Sequence, residues 1–260
     1  MCYLPAVNRD SPIVLLTGAS SGIGAALAVE LARARKARIA LLARREEMLA
    51  EVVRQIIDAG GEAIAFPCDV VDAEAVAEVV AQVSEQFGPI DIAIANAGVG
   101  SAMGVSDLSY ETIRHVMDVN YHGTATLLAA VIPGMVERGS GQIAAVSSIA
   151  GYRGLRRSGP YCASKAAVST LLESLRLELA PLGIGVTAIH PGFVKTPMTD
   201  KNKFPMPFMV PVEKAARIIS VGLWKRRREI NFPWQMVLMV KLLRLVPGWL
   251  FDRMMARRPA

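Results

Sequence analysis

Tyr161 and Lys165 stand four residues apart in the stretch Tyr161-Cys162-Ala163-Ser164-Lys165. In a helix that spacing puts both side chains on one side, one turn apart. A free phenol titrates near pH ~10 and is a poor acid or base at neutrality. An ammonium beside it favours the phenolate and lowers that value. So tuned, a tyrosine can give a proton to a carbonyl oxygen or take one from an alcohol. The same spacing also arises in helices that pack the aromatic inward and leave the lysine in water. The pair therefore carries weight only through what surrounds it.

A second kind of chemistry is offered near the start of the chain. Ile13-Val14-Leu15-Leu16 is a short apolar run that ends at Thr17-Gly18-Ala19-Ser20-Ser21-Gly22-Ile23-Gly24. A helical pattern follows from Ala25 to about Arg35. Strand, glycine-rich turn and helix in that order aim backbone N–H groups and a positive dipole end at a phosphate. Gly18 permits the tight turn, Gly22 the approach of a pyrophosphate, and Gly24 close packing of helix on strand. The alternative is a plain flexible loop, which the flanking strand and helix disfavour.

These groups need a scaffold, and the rest of the chain supplies one. Ile39-Ala40-Leu41-Leu42 reads as a second strand, followed by Ala43-Arg44-Arg45. A free ribose 2′-hydroxyl usually meets Asp or Glu at the end of this strand, whereas a 2′-phosphate prefers Arg. Here the acidic position is Ala43 with Arg44 next, which points to NADP(H); the other reading is two solvated arginines at a helix start. Glu46 to about Ala59 is the next helix, stopped by Gly60-Gly61. Ala63-Ile64-Ala65-Phe66 leads into Cys68-Asp69-Val70, where Asp69 either accepts from an adenine amino group or caps a local turn. Asp72 is placed to cap a helix over Ala73 to Phe87.

A fourth strand, Ile90 to Ala95, precedes Asn96-Ala97-Gly98, and helical patterns then run through Asn120 to Val136. A fifth strand, Ile143 to Val146, ends at Ser147-Ser148. Pro160 suits the first turn of the helix that carries Tyr161 and Lys165 to about Leu179. Val186 to Ile189 is a sixth strand and leads into His190-Pro191-Gly192. The Met- and Pro-containing segment from Val194 to Pro211 lacks periodicity and reads as a substrate lid. A helix from Val212 to about Lys225 and a short strand at Ile230 to Phe232 finish the pattern. Strands alternating with helices in this way predict one α/β domain with a parallel, doubly wound, Rossmann-like sheet. The expected division is residues 1–233 for that domain and 234–260 for an apolar, basic C-terminal extension.

Composition narrows the function classes. The net charge of +6 has no aromatic-interleaved basic stripe of the kind that tracks nucleic acid. Cys2, Cys68 and Cys162 are an odd number without a CxxC, which argues for a reducing compartment and against a disulfide framework or a zinc site. Met1 to Pro12 has no apolar signal segment, and no run of about 20 uncharged apolar residues is present. A cytoplasmic location is expected. His115, His122 and His190 are scattered and read as structural; Lys225 to Arg228 reads as a solvated helix end. The extension is apolar from Trp234 to Val246 but for Gln235, Lys241 and Arg244, with Arg253, Arg257 and Arg258 beyond. It either lies on an anionic membrane surface, covers the substrate pocket, or buries itself against a second subunit.

Taken together, Thr17-Gly18-x-x-x-Gly22-x-Gly24, Asn96-Ala97-Gly98, Asn120, Ser147-Ser148, Tyr161-x-x-x-Lys165 and Pro191-Gly192 resemble the short-chain dehydrogenase/reductase family in order and spacing, over roughly Pro12 to Phe232. The resemblance implies interconversion of a carbonyl and a secondary alcohol, with Tyr161 as acid/base, on a substrate that the Met-rich lid suggests is apolar. Ser148 is implied to orient the substrate oxygen, with Ser147 structural; Asn120 to hold a proton-relay water; and Lys165 to bind the nicotinamide ribose as well as tuning Tyr161. Cofactor contacts are implied from Thr17, Gly18, Ser20, Ser21, Gly22, Ile23 and Gly24. Others come from Arg44, Asp69, Val70, Asn96, Ala97, Gly98, Pro191, Gly192 and Val194, with Thr196 at the carboxamide. NADP(H) is preferred and NAD(H) remains the alternative, because some NADP-preferring members carry a basic residue where this chain has Ser21. A homodimer or homotetramer is implied. The competing readings are a dinucleotide-sensing or scaffold protein on the same fold and a nucleotide-sugar epimerase. The complete Ser148, Tyr161, Lys165 and Asn120 set speaks against the first, and the glycine spacing and small C-terminal region against the second.

Overall fold

Apolar runs with no polar alternation make strands that are covered on both faces. The computed structural model describes residues 11–100, 103–202 and 204–256; Cys2, the rest of the first ten residues, Arg257 and Arg258 lie outside them. In β1 (Ile13–Thr17), Val14 and Leu16 point to one side and Ile13 and Leu15 to the other. The first side packs on α1 (Gly22–Arg35), α2 (Glu46–Asp58) and α7 (Val212–Trp224). The second packs on α3 (Ala73–Gln86), α5 (Gly123–Arg138) and α6 (Gly159–Leu179).

The other strands are β2 (Arg38–Ala43), β3 (Glu62–Pro67), β4 (Ile92–Ala95), β5 (Gly141–Val146), β6 (Ile184–Pro191) and β7 (Glu229–Phe232). All seven are parallel, in the order β3-β2-β1-β4-β5-β6-β7. The order reverses between β1 and β4, and ligands of open α/β sheets bind outside the carboxyl ends of the strands at such a point. Register lines those ends up: Leu16 lies opposite Ile94, Ala95 opposite Ala145, and Val146 opposite Ile189. The glycine turn, Asn96-Ala97-Gly98, Ser147-Ser148 and Pro191-Gly192 therefore emerge side by side.

Several local expectations are corrected. α1 starts at Gly22 rather than Ala25, so its first turn takes in the second and third motif glycines. β4 starts at Ile92 rather than Ile90, because the Asp91 carboxylate takes the Ile13 N–H at 2.9 Å. The helical stretch before β5 is α4 (Tyr110–Met117), a π-helical segment over Asp118–His122, and α5. The basic run after α7 is not merely solvated. Arg226 donates to the carbonyls of Gly141 and Gly183 and so ties the amino ends of β5 and β6 together. The extension forms two helices, α8 (Trp234–Leu245) and α9 (Gly248–Ala256). Asp72 caps α3 by accepting from the Ala75 N–H at 3.0 Å.

Candidate active site

The cleft at the switch point has a volume of about 360 Å³. Its phosphate end is built by the β1–α1 turn. Thr17 itself faces inward, where its hydroxyl oxygen accepts from the backbone N–H groups of Asn96 and Ala97 at 3.0 and 3.2 Å. The Asn96 side-chain amide in turn donates to the carbonyls of Thr17 and Gly18, both at 3.1 Å. Gly18, Ser20, Ser21, Gly22 and Ile23 line the cleft. Gly22 has φ +58°, which L side chains rarely adopt, and a Cβ there would meet the Thr196 side chain at 3.3 Å across the cleft. No side chain caps α1, and its first turn carries no acidic residue. The unpaired N–H groups of that turn therefore face the cleft as an anion site. Gly24 lies beneath the turn and packs against Gly18 and Asn96.

Two arginines rim this end. Arg44 lines the cleft, and its Nη1 is 3.6 Å from the Asp69 carboxylate. Arg45, for which the sequence offers only a place at a helix start, also lines the cleft. Its Nη2 donates to the hydroxyls of both Ser20 and Ser21 at 2.8 Å. A cation therefore reaches position 21 from β2 although that residue is a serine. The paired arginines after β2 were the available signal, but only the fold shows which one turns back. Asp69 lines the cleft and also accepts from the Val71 N–H at 3.3 Å, so the turn-capping alternative is realised geometrically. Val70 lies beside it, and Ala97 and Gly98 continue the wall.

At the other end Ser148, Tyr161 and Lys165 meet. Tyr161 lines the cleft and hydrogen-bonds Ser148. Lys165 Nζ lies 5.8 Å from the Tyr161 ring centroid and donates to the Val146 carbonyl at 2.8 Å. Ser147 turns away from Tyr161: its hydroxyl donates to the Lys165 carbonyl at 2.7 Å and pairs with Ser169. Asn120, on the π-helical segment, is fully buried and does not line the cleft. Its amide accepts from Val99 N–H at 2.7 Å and donates to the Val99 carbonyl at 3.1 Å and to Ser164 at 2.9 Å. Ser164 donates to the Tyr161 carbonyl at 2.8 Å. Asn120 thus clamps the β4 loop onto the helix of the reactive pair. Pro191, Gly192, Val194 and Thr196 complete the wall on the β6 side. A bridge between Val194 and Val210 closes the base of the segment expected as a lid, and Met198 lines the cleft from it.

The expected depression of the phenol is not found. Burial raises Tyr161 above its ordinary value, and the Ser148 hydrogen bond opposes this only in part. The amine responds to burial in the reverse sense, from 10.5 down to about 8. Between those two values the unfolded chain holds a proton that the folded chain has lost. Stability should therefore rise with pH across that window, by about 3 kcal/mol from this group alone. The check is the unfolding free energy of wild type minus that of Lys165→Met as a function of pH. A difference that stays flat from pH 8 to 10.5 would show that the amine is not buried as described.

A parallel sheet with an anion-binding turn at its switch point, next to a Ser-Tyr-Lys cluster, defines a Rossmann-type nucleotide-binding oxidoreductase. The short chain dehydrogenase family model matches residues 12–205. An uncharacterised oxidoreductase of Myxococcus xanthus is 40% identical over 238 residues, covering 92% of this chain and 94% of its own. A fatty acyl-CoA reductase of Acinetobacter baylyi is 35% identical, over 86% of this chain and 76% of its own. Among solved structures, an actinorhodin polyketide ketoreductase variant with NADPH superposes with a TM-score of 0.76 at 31% identity, covering 83% of this chain and 91% of that one. The chain belongs to the short-chain dehydrogenase/reductase family and is an NAD(P)-dependent enzyme acting on CH–OH groups of small molecules.

Proposed function

We propose that the chain is an NADP(H)-dependent reductase of apolar carbonyl substrates, and the corresponding alcohol dehydrogenase in reverse, with Tyr161 as general acid/base. The observation that carries this is the meeting of Ser148, Tyr161 and Lys165 in the cleft whose far end is an anion site rimmed by Arg44 and Arg45. The residues fit a dinucleotide: the bare Gly22 turn suits a pyrophosphate, and two guanidinium groups suit a 2′-phosphate. When bound, that cofactor supplies or accepts the hydride. Ser148 holds the substrate oxygen, Tyr161 gives it a proton in reduction, and both meet the negative charge that develops there. Lys165 holds ribose hydroxyls and contributes positive charge below about pH 8. Thr196 takes the carboxamide, Asp69 and Val70 the adenine side, and Ile23, Pro191, Gly192 and Val194 the walls. Asn120 acts through its clamp on the reactive helix.

The apolar preference is supported by Met198, Val99, Val119 and Val194, all of which line the cleft. The acyl and polyketide substrates named for two relatives agree with it. We further assign residues 1–233 to one catalytic domain with a lid at about 194–211, in a cytoplasmic homodimer or homotetramer. Among the described residues no helix is long and apolar enough to cross a membrane.

Initial rates with NADPH and NADH against a panel of medium-chain ketones test the reading; no reduction of any ketone with either cofactor would sink it. The cofactor preference has its own test. Hydrogen bonds to charged groups contribute roughly 1.5–3 kcal/mol each. Arg44→Ala should therefore raise KM for NADPH by about 10- to 100-fold and leave KM for NADH almost unchanged. Equal losses with both cofactors would refute a 2′-phosphate site.

A further inference from the structure

α8 carries two apolar faces. Met236 and Val240, one turn apart, are buried against Ile149. On the opposite side Trp234, Leu238, Leu242 and Leu245 fall on one stripe at helical spacing and are 70%, 52%, 55% and 79% exposed. α9 extends the apolar surface with Trp249 and Met254, also exposed. The outer stripe is not needed to hold the extension in place. Arg153 donates to the carbonyls of Leu243 and Val246 at 2.6 and 2.8 Å, and its guanidinium lies 3.9 Å from the centre of the Phe251 ring. A stripe of exposed large apolar side chains of this kind marks an interaction site.

The charges select the partner. Lys241 borders the stripe, one turn from Leu238 and Leu245, with its Nζ 5.9 Å from the centre of the Tyr152 ring. Arg244 and Arg253 are exposed nearby, against Asp252 as the acidic residue of the described extension. A twofold contact with a second copy would set the like-charged rims of Lys241, Arg244 and Arg253 against each other. An anionic lipid surface instead takes the leucines at its acyl boundary, meets the basic rim with its headgroups, and seats indoles at the interface. Trp234 and Trp249 flank the stripe and suit that last role. We propose that α8 and α9 dock in the plane of an anionic bilayer through Trp234, Leu238, Leu242, Leu245 and Trp249. The surface stands independently of the catalytic reading, because none of these side chains lines the cleft.

The test uses the full chain and sedimenting vesicles, either phosphatidylglycerol mixed with phosphatidylcholine or phosphatidylcholine alone. Wild type should pellet with the anionic vesicles, at least tenfold better than with neutral ones, and less well as salt rises. Leu238→Glu with Leu242→Glu should reduce pelleting at least tenfold, with thermal unfolding and NADPH binding unchanged. Lys241→Glu with Arg244→Glu should weaken binding to anionic vesicles and leave the weak binding to neutral ones alone. Wild type that stays in the supernatant with anionic vesicles at low salt overturns the proposal, whatever the variants do. So does equal binding to neutral vesicles, or an oligomer that the Leu238→Glu/Leu242→Glu variant splits, which would make a second copy the occupant. NADPH binding and ketone reduction on soluble substrate, measured on the same preparations, report separately on the catalytic reading.

Discussion

Tyr161→Phe is expected to lower ketone reduction by about 10²- to 10⁴-fold, the range typical of a lost general acid/base. NADPH affinity should stay nearly unchanged, because the change removes one hydroxyl and keeps the ring in its place on α6. The direction of the pKa shift adds a second, independent signature. Burial raises the Tyr161 phenol, so in the cofactor-free protein it is a neutral donor throughout the neutral range. Reduction needs that protonated form and should hold steady as pH rises to neutrality. Oxidation needs the phenolate and should gain with pH. Steady-state rates in both directions, with cofactor binding followed by nicotinamide fluorescence, decide the matter. A Phe variant that keeps more than a tenth of wild-type turnover would falsify the assignment.

The largest structural effect is expected at Gly24. A Cβ built there meets the Gly18 carbonyl oxygen at 2.3 Å and Asn96 Nδ2 at 2.6 Å. The first of these is backbone and the second is the amide that ties β4 to the turn. Relief therefore means moving α1 away from β1 or breaking the turn itself. Overpacking typically costs 1–3 kcal/mol and occasionally more; here we expect about 3 kcal/mol or above. At roughly 2–4 °C per kcal/mol for a chain of this size, Tm should fall by about 10 °C, and NADPH binding should be lost with the turn. Helix propensity alone predicts the reverse sign, a gain of up to about 1 kcal/mol for Gly→Ala. Gly134 is the control, since a Cβ there meets only the end of Arg138 at 3.5 Å in the interior of α5. Gly134→Ala should be neutral or stabilising. If Gly24→Ala melts at the temperature of wild type, the close packing of helix, turn and Asn96 is not as described.

Much of this was legible in the sequence because it depends on local rules. Unbroken apolar runs of four to six residues, each followed by a helical pattern, specify strands covered on both faces and hence a parallel sheet. The glycines at 18, 22 and 24 announce a turn that tolerates no side chains, and the Tyr161–Lys165 spacing puts both groups on one side of α6. The order of the motifs was enough to indicate the family and its type of reaction.

What the tertiary structure decided concerns reach, burial and cover. Arg44 and Arg45 are adjacent in sequence, but only the packed β2 and β1–α1 turn show that Arg45 touches Ser20 and Ser21 while Arg44 faces Asp69. Asn120 reads as an active-site residue and is found as a buried clamp, because a neighbouring loop 21 residues away presents both backbone groups of Val99 to it. The phenol was expected to be acidic from its neighbour alone; burial, which no local pattern reports, outweighs that neighbour and also discharges part of the amine. In α8 both faces are apolar, so periodicity cannot tell which one is covered. That choice is made by Ile149 and Arg153, residues nearly a hundred positions away, and it leaves the tryptophans and leucines of the outer stripe facing outward.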